Sequence, residues 1–259
     1  HGEVFVASVK KGTTKRISTT PEQERSLSFS PDGRSILYAS ERDGSWNVYQ
    51  SSLTRAEEKF FFNSTVLKEE AILDGPAEEF QPAYSPDGIE VAYFEERTAL
   101  KVINLATKRI REIMPKERSY SYADGDQHFA WSPDGKWFLL NFLQDKQWIS
   151  QSGLVAADGS GEIIDLSQSG YGADEPRWSR NGQMMLYYSS RDGMKNHASW
   201  GGERDVYAMF FTQEAFDKYK LNQEEHDLLK GDKEEDDEEE EDEKSSKKEE
   251  KKEEDESIK

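Results

Sequence analysis

The chain repeats the sequence Phe29-Ser30-Pro31-Asp32-Gly33, and this stretch decides the fold. It returns as Tyr84-Ser85-Pro86-Asp87-Gly88 and as Trp131-Ser132-Pro133-Asp134-Gly135, and a degenerate copy reads Trp178-Ser179-Arg180-Asn181-Gly182. The glycines that end successive copies are 55, 47 and 47 residues apart. A recurrence at this period predicts a chain built from repeated supersecondary units.

Each Ser-Pro-Asp-Gly copy has the composition of a tight turn. Proline fixes φ near about −65° at the second turn position, Asp can accept a hydrogen bond from nearby backbone, and Gly supplies a positive φ. The flanking residues are strand-like, because Leu27 and Phe29 alternate with serines and residues 35–40 are rich in β-formers. Each copy therefore predicts two antiparallel strands joined as a hairpin.

Two further strands complete each unit. A second turn, Arg42-Asp43-Gly44 and again Arg191-Asp192-Gly193, leads to a third strand at 46–49 or 205–210. A fourth strand is predicted at 70–73, 109–113 and 162–166. Four short antiparallel strands per unit, repeated every ~40–50 residues, are typical of a β-propeller blade. We therefore predict an all-β fold, a partial β-propeller of about four four-stranded blades, followed by short α-helices and a disordered acidic tail.

The predicted boundaries follow from where the pattern changes. They are the last two strands of a preceding blade at 1–18, four blades at 19–74, 75–116, 117–167 and 168–211, a helical segment at 212–230, and an acidic low-complexity linker or tail at 231–259. The alternative for 1–18 is a hairpin that closes the ring by pairing with the last blade. Thr212 is a predicted helix N-cap, and Asn222 with Glu225 forms a capping-box pattern for a second helix.

Composition limits the partners. The net charge is −19, of which residues 232–256 contribute −11, so the remainder is mildly acidic and a nucleic acid is not an expected partner. No apolar run approaches the ~18–20 residues of a membrane span, and no membrane contact is predicted. The chain has no cysteine, which excludes disulfides, thiolate metal sites and a cysteine nucleophile.

Catalytic motifs are missing from the sequence. There is no Gly-x-Ser-x-Gly elbow, no phosphate-binding glycine loop and no His-Glu-x-x-His zinc motif. Asp124 and Asp126 raise the possibility of a calcium loop, but no glutamate closes it, and we favour a turn in which Asp side chains cap backbone amides. We predict no catalytic residue, no cofactor and no metal ligand in this segment.

Candidate contact residues lie where the repeats differ. The repeats differ at the 54–67 insertion, at the 120–128 segment and at the 193–204 loop. The insertion contains Phe60 and Phe61, and the loop contains Lys195, His197, Trp200 and Arg204. These six residues are the candidate contacts with a peptide or partner, since loops on a rigid scaffold often carry function. The alternative for each group is structural: the phenylalanines pack into a neighbouring blade, and Trp200 packs its own loop.

The motifs carry a family resemblance. Aromatic-Ser-Pro-Asp-Gly, then Arg-Asp-Gly and a strand such as 46–49, resembles the WD40-like propeller repeats of the Tol-system periplasmic protein and of tricorn-type peptidases. The stretch 190–201 followed by 205–210, together with 120–127 and 212–216, is similar to bacterial tricorn-like serine proteases. The similarity covers about residues 2–230, and the 190–210 stretch is its more specific part.

The resemblance implies a non-catalytic propeller segment of a serine peptidase that guides or filters peptide substrates towards a catalytic domain absent from this chain. The implied partners are a peptide or protein substrate and the remainder of the parent polypeptide, with homo-oligomerisation of the parent as a possibility. Exported bacterial relatives favour a periplasmic or secreted location, with the cytoplasm as the alternative. Two other functions stay open: a stand-alone Tol-type protein-binding propeller, and the propeller of a prolyl-oligopeptidase-type hydrolase.

Overall fold

The computed structural model describes residues 2–145, 147–193 and 202–229. Its strands are β1 (Phe5–Ala7), β2 (Thr14–Arg16), β3 (Glu24–Phe29), β4 (Ser35–Ser40), β5 (Asn47–Leu53), β6 (Leu67–Leu73), β7 (Glu79–Tyr84), β8 (Glu90–Glu95), β9 (Ala99–Asn104), β10 (Ile110–Met114), β11 (Phe129–Trp131), β12 (Trp137–Leu143), β13 (Ser150–Ala156), β14 (Ile164–Asp165), β15 (Ala173–Ser179), β16 (Met184–Ser189) and β17 (Asp205–Phe210). Helix α1 spans Gln213–Lys220, and a second helix occupies 223–229 of the described range.

The strands form successive antiparallel sheets in chain order. The first sheet contains β3 to β6, the second β7 to β10, the third β11 to β14, and β15 to β17 make a three-stranded fourth sheet. Strands β1 and β2 form a separate hairpin. The arrangement confirms the predicted partial propeller of four-stranded blades, and among the described residues the fourth sheet has three strands. The last strand of the third sheet is shorter than predicted, since only Ile164–Asp165 pair with β13.

The Ser-Pro-Asp-Gly turns have the geometry expected of them. The Ser30 hydroxyl donates to Asp32 Oδ1 at 2.6 Å, and the Arg34 amide donates to the same oxygen at 3.0 Å. The serine hydrogen bond, followed by the amide bond, lowers the pKa of Asp32, and the same pair of donors lowers the pKa of Asp87 and of Asp134. These carboxylates therefore stabilise the turns in their ionised form.

The fourth turn follows a different path. Arg180 occupies the position of the proline and has φ of +48°, a value that the proline ring forbids. Asn181 follows with φ of +52°. The loss of proline from this copy therefore goes with a change of turn conformation.

The turns of neighbouring sheets stack along one edge. A Cβ placed on the glycine of one turn would lie within 3.3 to 3.6 Å of the proline ring of the preceding turn, in the pairs Gly88 with Pro31, Gly135 with Pro86, and Gly182 with Pro133. The four glycines are thus at equivalent positions in their sheets, and the four turns lie on one rim.

Aromatic residues before the turns connect each sheet to the one before it. The Trp131 indole donates to the Ala83 carbonyl at 3.3 Å, and the Trp178 indole donates to the Ala130 carbonyl at 3.1 Å. Tyr84 reaches back to the first sheet and donates to the Gln50 side chain at 2.7 Å. The aromatic position of the repeat is therefore an inter-sheet contact as well as a strand residue.

A β-bulge interrupts the first strand of three sheets. The pairing register shifts at Ser26, Gln81 and Glu175, and each has a positive φ of +56°, +51° and +51° respectively. Each is the third residue of its strand. None is a glycine, so the sequence carries no signal for this conformation, which costs an ordinary residue about 1–2 kcal/mol.

The buried core runs through the interfaces between sheets. One cluster joins Ala39 and Trp46 of the first sheet to Phe94 of the second and Phe138 of the third. Arg111 strengthens the interface between the second and third sheets: two bonds of 2.5 and 2.6 Å to Glu90 of its own sheet hold its guanidinium, which donates across the interface to the Ala157 carbonyl at 2.8 Å. The stacking of sheets therefore fixes which loops meet at either rim.

The contacts divide the chain into His1–Met209 and Phe210–Lys259. In the second unit, the Thr212 hydroxyl accepts from the Ala215 amide at 3.1 Å, and Asn222 and Glu225 exchange two bonds of 2.8 and 3.0 Å, so both predicted caps are confirmed. None of the helices in the described ranges is both long and apolar enough to cross a membrane. The acidic segment predicted at 231–259 lies outside the described residues.

Candidate functional site

A groove lies on the rim opposite the stacked turns, between the third and fourth sheets. In antiparallel sheets the start of the first strand and the end of the second strand lie at the end away from their connecting turn. The groove is built from such ends: the segment before β11, the β12–β13 connection, the start of β15 and Arg204 before β17. Two adjoining depressions of about 470 and 480 Å³ share Tyr120, Leu143 and Trp148 as lining.

Three exposed aromatic side chains form one side of this groove. Tyr120, Tyr122 and Trp148 are 44%, 87% and 76% exposed. The Tyr120 ring centroid lies 4.6 Å from that of Tyr122 and 5.2 Å from that of Trp148, with interplanar angles of 73° and 80°. Edge-to-face contacts of this kind orient the rings while leaving their outer surfaces open to a ligand. We call these three residues the aromatic cluster.

Hydrogen bonds within the 119–127 segment hold the cluster in place. Asp126 accepts from the amides of Tyr122 at 2.5 Å and Ala123 at 3.0 Å, as the sequence analysis favoured for this turn. The Gln127 side-chain amide donates to the Tyr120 carbonyl at 2.7 Å. Burial works to raise the pKa of Asp126, but hydrogen bonds from Ser121 and the two amides outweigh it and lower the pKa, so this carboxyl is ionised at neutral pH.

The other side of the groove is polar. It contains Asn141, Ser150 and the pair of Arg204 with Asp174, whose charged atoms lie 3.5 Å apart. The Asn141 side-chain amide donates to Ser150 at 3.0 Å and to the Ala173 carbonyl at 3.1 Å. The groove thus has ring faces on one side and a polar wall on the other, the combination found in ligand sites.

Asp124 links the segment beside the groove to earlier sheets. Its carboxylate pairs with Arg25 of the first sheet at 2.7 Å and also with Arg97, which follows β8. The Arg25 guanidinium lies 4.9 Å from the centroid of the Trp46 ring, and the Arg97 guanidinium 5.1 Å from that of Phe80. Asp124 therefore connects sheets through two arginine side chains, whereas the cap of backbone amides predicted for this turn is made by Asp126.

The two phenylalanines of the insertion differ in solvent exposure. Phe60 is 56% exposed and stacks on Phe62 with a centroid separation of 5.3 Å. Phe61 is 2% exposed and packs in the core of the first sheet and the N-terminal hairpin, with an edge contact of 6.0 Å to Phe29. Burial removes Phe61 from the candidate surface and agrees with the packing alternative.

The insertion does not meet the groove. The Arg34 guanidinium, directly after the first turn, donates to the carbonyls of Glu58 at 3.0 Å and Arg55 at 2.9 Å. Phe60 therefore lies on the rim of the stacked turns, whereas Arg204 lines the groove at the opposite rim. Lys195, His197 and Trp200, the remaining predicted contacts, lie outside the described residues.

His128 is placed for packing and not for chemistry. Its Nε2 lies 2.9 Å from the Pro176 carbonyl and bridges the third and fourth sheets. Burial lowers the pKa of His128, with Arg177 acting in the same direction, so the imidazole is neutral at pH 7. Among the residues that the structure describes, no group of three or more His, Asp or Glu side chains is placed to hold a metal ion.

Trp148 and the contact role of the two tyrosines were not predicted from the sequence. The sequence marks the 120–128 segment as a region where function would lie but predicts no contact role for Tyr120 or Tyr122, and Trp148 follows β12 by a short connection with no motif of its own. A usable signal existed: aromatic residues in two loops that must lie at the same end of one antiparallel sheet. The β-bulges in the first strands of three sheets had no signal of any kind in the sequence.

Comparison with known proteins supports the fold. No model of a known protein family matches the chain, and no curated protein sequence matches it. Among solved structures, TolB from Acinetobacter baumannii is 17% identical, with a TM-score of 0.56 over 82% of this chain and 47% of that protein. This chain therefore spans about half the length of that TolB.

Two peptidases show the same likeness. The tricorn protease is 11% identical, with a TM-score of 0.57 over 82% of this chain and 20% of that protein. A puromycin-hydrolyzing peptidase from Mycobacterium tuberculosis is 12% identical, with a TM-score of 0.55 over 78% of this chain and 29% of that protein. At these identities the likeness concerns the fold alone, and the chain is accordingly a β-propeller module.

Proposed function

We propose that the chain is the non-catalytic propeller segment of a tricorn-like serine peptidase and guides peptide substrates towards a catalytic domain carried elsewhere in the parent protein. The observation that supports a binding role is the groove beside the aromatic cluster, on the loop-bearing rim of the sheets. The sequence resemblance at 190–210 supports the peptidase. The implied location is periplasmic or secreted, with the cytoplasm as the alternative.

A peptide fits the groove in size and chemistry. An extended peptide presents amides, carbonyls and side chains in alternation, which matches a groove with aromatic faces on one side and amide and hydroxyl groups on the other. Partly exposed tyrosine and tryptophan supply contact area at a small entropic cost, since they have few rotatable bonds. We expect binding of this kind to be weak, as a guiding role requires.

The exposed side chains of the first sheet support a place for this module within a larger propeller. Val4 and Ile17 of the β1–β2 hairpin are buried against the first sheet. Leu27 and Phe29 of β3 are 56% and 55% exposed, whereas Tyr84, at the position of Phe29 in the second sheet, is 9% exposed. We therefore propose that residues 1–18 are the last two strands of a preceding blade whose first two strands would cover Leu27 and Phe29.

The test is peptide binding by the purified chain, measured as fluorescence anisotropy of short, unstructured, dye-labelled peptides. We expect weak binding that Trp148→Ala reduces severalfold, without peptide hydrolysis. Phe60→Ala is the matched control, because it removes an exposed aromatic ring on the opposite rim. Cleavage by the chain that serine-directed inhibitors block would contradict the non-catalytic role.

Two other outcomes would favour the other functions. If the chain does not bind short peptides but binds a folded protein partner, the result would support the stand-alone Tol-type propeller. A parent gene that continues into an α/β-hydrolase with a Gly-x-Ser-x-Gly elbow would support the prolyl-oligopeptidase-type enzyme, whereas a PDZ domain and a serine peptidase region would support the proposal.

A further inference from the structure

We infer that the groove selects peptides that carry a lysine or arginine side chain. This inference rests on the proposed peptide-binding function and adds the charge of the preferred ligand. Two independent features of the same surface lead to it: the open ring faces of the aromatic cluster and the sign of the charges around them. Each attracts a cation, and they do so within one groove.

The ring faces are the first feature. Tyr122 and Trp148 are largely exposed, and each makes an edge-to-face contact with Tyr120 between them. Aromatic faces attract cations through their quadrupole, most strongly for tryptophan, and an exposed contact of this kind changes affinity by a factor of about two to five. The module already uses this interaction internally, with Arg118 at 5.3 Å from the Phe142 centroid in the same sheet.

The charge around the rings is the second feature. Among the described lining residues one is basic, Arg204, and five are acidic: Glu117, Asp126, Asp145, Asp174 and Glu175. Three of these acids pair with arginines, Asp145 with Arg118, Asp174 with Arg204 and Glu175 with Arg177, although Asp145 is still 85% exposed. Glu117 and Asp126 are the two further acids of the lining. The lining therefore has an excess of negative charge, and a concave surface of one sign concentrates ligands of the other sign.

The site is also held ready for a ligand. Asp126 and Gln127 fasten the backbone of the two tyrosines, and the Ser119 hydroxyl donates to the Gln127 side-chain carbonyl at 2.8 Å. These side chains and their backbone then lose little conformational entropy when a peptide binds, so weak contacts with the peptide contribute more fully to its affinity. Acidic peptides would meet repulsion from the same carboxylates, which sharpens the selection.

The experiment compares three short dye-labelled peptides that differ only in two positions, occupied by lysine, glutamine or glutamate. We expect the lysine peptide to bind at least about fivefold more tightly than the glutamate peptide at low salt, with a preference that high salt reduces. The double variant Glu117→Gln and Asp145→Asn changes two exposed loop carboxylates and should remove most of that preference while keeping binding of the glutamine peptide. Trp148→Ala should weaken the lysine peptide most.

The outcomes distinguish failure of the charge preference from failure of the peptide-binding function. Equal binding of all three peptides, or tighter binding of the glutamate peptide, would overturn the charge preference but leave the peptide-binding function standing. An unchanged lysine preference in the double variant would also overturn it. Failure of all three peptides to bind, in a chain whose circular dichroism shows folded sheets, would overturn both.

Discussion

Glu79→Gln is expected to make the protein more stable at high pH and to have little effect at low pH. Glu79 begins β7, is 4% exposed, and lies directly across from Glu95 of β8. At the same point of the first sheet, Glu24 faces Ser40. Burial, with the charges of Glu95, Asp74 and Glu96 adding to it, raises the pKa of Glu79 from 4.5 to about 8.

The magnitude follows from the size of this shift. One pKa unit corresponds to about 1.4 kcal/mol, so the full shift sets an upper bound of roughly 5 kcal/mol. Relaxation of the site and entry of water reduce the cost of ionising Glu79, and we expect the Glu79→Gln protein to gain about 2–4 kcal/mol in free energy of unfolding at high pH. The pKa of Glu79 is higher in the folded protein than in the unfolded chain. The stability of wild type relative to its fully ionised form is therefore fully present below pH 4.5, where Glu79 is protonated in both states, and is lost as the pH rises through about 8.

Glutamine mimics the neutral acid and cannot ionise. With its amide oriented to donate, Asn47 lies 3.0 Å from Glu79 Oε2, and the oxygen of a glutamine can accept the same bond. The free energy of unfolding in urea, followed by tryptophan fluorescence, should therefore match wild type within about 1 kcal/mol at pH 5 and exceed it by about 2–4 kcal/mol at pH 8.5.

The equivalent change in the first sheet is the control. Glu24 is also buried, but it accepts from the Ser18 hydroxyl at 2.6 Å and lies 3.6 Å from the Arg42 guanidinium. Glu24→Gln removes a compensated charge and should destabilise the protein by about 1–3 kcal/mol at pH 7. A Glu79→Gln advantage that does not grow between pH 5 and 8.5 would refute the assignment of a neutral buried acid.

Three further predictions concern the scaffold and use the same unfolding assay. Ser26→Val should cost about 1–2 kcal/mol, because a β-branched residue is strained at a φ of +56°, while Ser28→Val in the same strand should be nearly neutral. Arg111→Ala should cost about 1–3 kcal/mol through the loss of one hydrogen bond to the third sheet and two to Glu90 within the second sheet, and equal stability would deny it that role. Trp131→Ala should cost about 2–4 kcal/mol but Phe29→Ala under about 1 kcal/mol, since only the tryptophan is covered by a preceding sheet.

Local features of the chain were readable from the sequence. The Ser-Pro-Asp-Gly turns, the hairpins around them and the caps at Thr212 and Asn222 depend on residues within a few positions of one another, and the structure confirms them. The repeat then required equivalent units, and the stacking of the turns follows from it. Such features are set by backbone preferences and short-range hydrogen bonds, which the order of residues specifies directly.

Contacts between units were decided only by the tertiary structure. Phe60 and Phe61 are adjacent in sequence, yet one is exposed and the other is in the core, because the neighbouring hairpin covers one side of the insertion. Glu24 and Glu79 occupy the same repeat position, yet the residues across from them differ, so one carboxyl is compensated and the other is not. The sequence by itself determined the repeated blade, whereas the stacking of blades decided which side chains are buried, which charges meet and which loops form the groove. The physical reason is that burial and charge depend on neighbours distant along the chain, which no local pattern records.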